Sequence, residues 1–239
     1  MEDRIDAGLY LEMTDLAASA YWAERVPAVT ATGAGVGRAF VGTNACLGRT
    51  DLPRKIDEFE TLGLFEVGPE FRSGPLPGLH FVRTSRPGQG VLTGEPTTGL
   101  LLVLVSPRTP DQAQTLRDWA DFVHIRHIAA AAVPGYGMIT PFEHAEGGDP
   151  RFLHLYEIHG PDPEKAFQGM VPLVIDRIGE PGTEGFDQWA RHPALRIMYV
   201  NTFRLAASPE RGGLAASPEG GGLAASPAGA GLAASPGGA

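Results

Sequence analysis

The chain has 239 residues, 43% hydrophobic and 20% charged, enough for one large or two small packed domains. A net charge of −9 with scattered basic residues excludes a nucleic-acid partner, which needs a concentrated basic surface. Cys46 is the only cysteine, the acidic start MEDRIDAGLYLEM lacks a signal peptide's apolar stretch, and no apolar run approaches a membrane span, so a cytoplasmic location is expected.

Residues 7–13 read as a first strand. Thr14 or Asp15 then caps a helix to about Val29, with Leu16, Ser19, Ala20, Ala23, Val26 and Pro27 at helical spacing. Gly33, Gly35 and Gly37 stop it before a strand at 37–45. Helix-then-strand is the reverse of a dinucleotide fingerprint, so that reading is discarded. Residues 46–60 form a polar connection with room for a helical turn, and 62–67 a third strand. From Gly68 to Gly99 the chain is rich in proline and glycine, with one strand near 79–83. A loop of that length is either an excursion around a pocket or a boundary between units.

The second half is clearer. The apolar run 100–105 suits a strand covered on both faces. Pro110-Asp111 opens a helix with Leu116, Trp119, Val123 and Ala130 on one face, and Pro134-Gly135 ends it. Strands at 135–144 and 151–159 make a hairpin, a helix over 161–179 turns Ala166, Phe167, Met170, Val174 and Ile178 inward, and a short helical piece at 186–189 precedes a strand at 196–205. From Leu205 the word LAASP recurs every nine residues, a composition too poor in apolar groups to fold, so 206–239 is expected to be a disordered tail.

The halves echo each other: Trp22-Ala-Glu-Arg-Val26 with Trp119-Ala-Asp-Phe-Val123, and Leu62-Gly-Leu-Phe-Glu-Val67 with Leu153-His-Leu-Tyr-Glu-Ile158. The second half has the strand–helix–strand–strand–helix–strand order of a split βαβ, ferredoxin-like unit, and the first half follows it until its second helix is lost. The expected organisation is therefore a degenerate unit over 1–95, a complete unit over 96–205 and the tail, with chance matching of short apolar words as the alternative.

Asp118-Trp119, His124, Val133-Pro134-Gly135 and the strand Phe152-Leu-His-Leu-Tyr-Glu-Ile158 together resemble the dimeric α+β barrel superfamily, in particular its EthD-like members. The resemblance implies an α+β fold in which two ferredoxin-like units in tandem form one pseudo-dimeric barrel, closed within the chain. It also implies a small apolar or aromatic ligand. The superfamily holds cofactor-independent monooxygenases, cyclases and dehydratases as well as haem-handling proteins, so it does not choose a reaction. Aligned from the tryptophans, Pro27 stands where the second half has His124, leaving one histidine site.

His124 lies three residues after Asp121, within reach on one helical face, so a carboxylate-held imidazole with raised pKa and a general-acid role is expected. The alternative is an incidental surface pair. His124 and His127 are spaced for a shared metal, but neither HExxH nor a cysteine cluster is present, and neither metal nor other cofactor is expected. Alternation puts Phe152, His154, Tyr156 and Ile158 on one face of their strand. His154 and Tyr156, with Tyr136, Met138 and Trp119, are expected to bind the ligand inside the barrel, or else to be ordinary core. A non-catalytic ligand-binding or structural protein of the same fold is the competing reading, and further self-association is open.

Overall fold

A computed structural model describes residues 8–32 and 35–206. The expected tail therefore lies outside the described residues, Ala206 apart. Strands β1 (Gly8–Thr14), β2 (Val36–Asn44), β3 (Thr61–Val67) and β4 (Leu79–Arg83) come from the first half. A two-residue β5 (Gln89–Gly90) follows. Strands β6 (Gly99–Pro107), β7 (Tyr136–His144), β8 (Phe152–Ile158) and β9 (Leu195–Leu205) come from the second.

They run antiparallel in the order β4-β1-β3-β2-β9-β6-β8-β7, and β4 also pairs with β7, so the sheet closes on itself within one chain. Each half contributes its four strands in the same local order, fourth-first-third-second. The halves meet at two short seams of three residue pairs each: Gly42–Asn44 against Phe203–Leu205, and Phe81–Arg83 against Phe142–His144. β5 extends the β7 edge beside Met138 and Ile139.

Alternation along the strands sorts the core. The barrel interior holds Leu9, Leu11, Leu62, Leu64 and Phe81 from one half and Leu100, Leu102, Leu104, Phe142, Leu153, Leu155 and Phe203 from the other, all buried. The opposite faces carry helices. α1 (18–30) covers the first half, and α2 (110–130), α3 (Pro163–Ile178) and α4 (Glu184–Ala190) cover the second. No helix lies between β3 and β4; residues 68–78 are turns and coil, and Phe71 packs onto the sheet with Tyr10 and Phe65. The connection 46–60 contains no helical turn.

Local chemistry explains the ends of α3. The Asp162 carboxylate accepts from the Glu164 and Lys165 amides, Pro163 takes the first position, and Gly179 ends the helix at φ 103°. In α1 the inward residues are Tyr21 and Val29, whereas Leu16, expected on its apolar face, lies in the bend before the helix and is exposed. Both α1 and α2 contain a π-helical turn, Tyr21–Arg25 and Ala120–His124, which breaks the 3.6-residue period. No helix among the described residues is long and apolar enough to cross a membrane.

Candidate functional site

The π turn of α2 sets the site. With one extra residue per turn, Ala120 and Asp121 both face the sheet, and the buried line runs Leu116, Ala120, Asp121, Ile125, Ile128. The regular-helix expectation of Leu116, Trp119, Val123 and Ala130 holds only at Leu116; Trp119 and Val123 are half-buried and Ala130 is exposed.

Asp121 is 3% exposed, yet neither of its carboxylate oxygens has a hydrogen-bond partner. Arg86 Nε lies 3.6 Å from Oδ2, and His154 Nε2 lies 3.9 Å from Oδ1. Burial pushes the Asp121 pKa up to about 6, against the pull of Arg86 and Arg117. Burial also pushes His154 down to about 3, so its ring is neutral at physiological pH.

His124 does not pair with Asp121. Its ring lies between two indoles, 5.1 Å from Trp119 and 5.2 Å from Trp189, the latter nearly parallel. Its Nδ1 meets the Trp189 carbonyl at 3.0 Å, and because a carbonyl only accepts, Nδ1 carries the proton. Trp189 Nε1 donates back to the His124 carbonyl at 3.2 Å, and Trp119 Nε1 donates to the Gln188 carbonyl at 2.7 Å. Desolvation lowers the His124 pKa, the reverse of the expected rise. The π turn rotates His124 away from Asp121 and toward α4, so a separation of three residues does not bring the two side chains together.

The expected pocket face is also reversed. His154 opposes Val103 and Tyr156 opposes Leu101, and these pairs lie under the helices, while Leu153 and Leu155 take the interior beside Leu104 and Leu102. Period-2 alternation separates two faces but does not say which one helices cover. Tyr136 and Tyr156 pack edge to face at 5.8 Å, and the buried Tyr136 hydroxyl has no hydrogen-bond partner. Met138 is half-buried, its methyl beside Gly88.

Two contributors were not singled out by sequence. Arg86 pairs with Asp118 and lies over the Phe122 ring at 4.5 Å, and Gln89 Nε2 donates to the Asp121 carbonyl at 2.6 Å. Both come from the proline- and glycine-rich excursion, which folds over the π turn; its composition marks a loop but gives no address. Among the described residues, no group of three or more His, Cys, Asp or Glu side chains is placed to hold a metal ion.

The first half has its own buried carboxylate, fully satisfied. Glu12 accepts from Tyr10 and Tyr21 hydroxyls at 2.8 and 2.9 Å and from Arg25 at 2.6 and 2.9 Å. Burial alone would raise its pKa, but these donors hold it below the ordinary carboxylate value.

No known family matches the sequence, and no curated protein matches it. Solved structures do resemble the fold. An anthrone oxidase-like protein shares 16% identity over 87% of this chain and 94% of its own, with a TM-score of 0.46. A chlorite dismutase variant from Candidatus Nitrospira defluvii shares 12% over 85% and 92%, at 0.47. A protein described as a major regulator of staphylococcal pathogenesis shares 12% over 83% and 97%, at 0.45. An oxidase-like protein, a dismutase and a regulator share no activity, and likeness at these scores assigns this chain neither a family nor a reaction.

Proposed function

We propose that this chain is an EthD-like α+β barrel descended from a duplicated ferredoxin-like unit, and that it binds a small apolar or aromatic molecule under the helices of its second half. On that ligand, Asp121 moves a proton without a cofactor. The observation that carries the reading is the buried Asp121 carboxylate with no hydrogen-bond partner on either oxygen. A buried carboxylate without hydrogen bonds is costly even beside a guanidinium, so a fold retains one where it is used.

A carboxylate titrating at about 6 is ionised at neutral pH and is a stronger base than an ordinary aspartate. It takes a proton from an acidic O–H or C–H of the ligand, becoming a carboxylic acid and leaving a ligand anion beside the Arg86 guanidinium. Neutral His154, 3.9 Å away, offers the nearest imidazole nitrogen for the ligand's polar edge, and Tyr136 and Tyr156 supply aromatic wall. His124 is a positioning residue, since its Nδ1 is committed to α4.

Native mass spectrometry of the purified chain tests binding. Solvent-deuterium incorporation into a panel of hydroxylated aromatics tests the chemistry. The rate should rise with pH and level off above about 6, and Asp121→Asn should abolish it. Asn at this position matching the wild type in both measurements would refute the assignment. The non-catalytic reading draws on one observation, the interior filled by leucine and phenylalanine from both halves, which suits a structural barrel.

A further inference from the structure

We propose that residues 84–94 form a hinged strap over the Asp121 centre, latched to the π turn by Arg86 and Gln89. The inference rests on the reading of Asp121 as the functional group and adds how a ligand reaches it.

The side-chain ties that Arg86 and Gln89 of the strap make to the helix fall within Asp118–Phe122. Arg86 reaches Asp118, stacks over Phe122 and approaches Asp121, while Gln89 holds the Asp121 carbonyl. Its only ladder is the two-residue β5 against Met138 and Ile139. Its backbone is made to bend: Gly90 has φ 129° and passes so close to the Gly137 carbonyl that a side chain cannot fit, and Gly94 has φ 74°. Val91 and Leu92, just past the latch, are 58% and 59% exposed, so little apolar burial holds the strap down. One Arg86 nitrogen, Nη1, is buried without a partner, so the latch is incompletely satisfied when shut. Segments with few buried contacts and few backbone bonds open at low free energy. Opening carries Arg86 away from Asp121 and exposes the carboxylate; closing returns the guanidinium and shuts out water.

Hydrogen–deuterium exchange on the full chain tests this without a ligand. Arg86→Ala should speed exchange in peptides covering 84–92 by about tenfold while β8 stays at the wild-type rate. Amidation of Asp121 by a water-soluble carbodiimide with glycine ethyl ester should rise in step, and Arg86→Lys, which keeps the charge but loses the planar fork, should fall between. Unchanged exchange at 84–92, or an equal rise in β8, overturns the strap. A strap that loosens in Arg86→Ala while Asp121→Asn leaves ligand chemistry intact supports the hinge and removes the functional reading. The opposite pair of results keeps Asp121 and removes the hinge.

Discussion

At the scale of single residues, Asp121 and His124 divide the roles that their spacing assigned jointly. His124 was legible as special, because a histidine between Trp119 and a Pro-Gly stop is an unusual word. Its partner was not, because the π turn and the contact with α4 come from tertiary packing that no local spacing encodes. Asp121 leads to a stability prediction. Folding raises its proton affinity, so its charge costs stability above about pH 6, and the cost vanishes once the unfolded chain is protonated too, near pH 4. Asp121→Asn should therefore stabilise the fold at pH 7.5 by up to about 3 kcal/mol. In denaturant titrations the gain should shrink to nothing by pH 4; a gain independent of pH would mean the carboxylate is not the cause.

At the scale of elements, strand and helix order was readable almost throughout, since alternation and capping residues act locally. The inward helix face was misread where a π turn intervenes, as at Ala130, whereas Leu16 is exposed because it precedes the helix. Matching the two π turns pairs Tyr21 with Ala120 and Arg25 with His124, and matching the strands pairs Gly63 with His154. In the first half the large Tyr21 sits over the small Gly63, and at the matching positions of the second half the sequence has a small Ala120 and a large His154. A Cβ placed on Gly63 would fall on the Tyr21 ring and hydroxyl. Gly63→Ala should destabilise by about 2 kcal/mol or more. Tyr21→Phe should not rescue it, because the ring itself is in the way, whereas Tyr21→Ala should recover part of the loss. Equal melting temperatures for Gly63→Ala and wild type would show that the first half has slack at this point.

At the scale of the whole molecule, closure of the described sheet pairs part of the outer strand of each half across a seam. Each half alone presents two open edges: β9 and β7 in the second lose β2 and β4, and the leucine-lined interior face is uncovered. Residues 96–205 expressed alone should associate with themselves, since such a face and such edges seek partners. Sedimentation of a stable monomer from that fragment would contradict the two-unit organisation.

The two seams also bear on how the chain reaches its native state. Hairpins and half-sheets join near neighbours, but one seam ties positions 42–44 to 203–205, across most of the described chain. Loop-closure entropy makes contacts of such separation slow to form. The halves should thus collapse early as open sheets, and the ring should shut in a late, rate-setting step. Pulse-labelled exchange during refolding should show the β6–β8 amides protected well before those of Ala45 and Ala206, which donate across the seam to the Thr202 and Val41 carbonyls. Until that ring closes, each molecule carries two sticky margins, so refolding yield should fall as protein concentration rises.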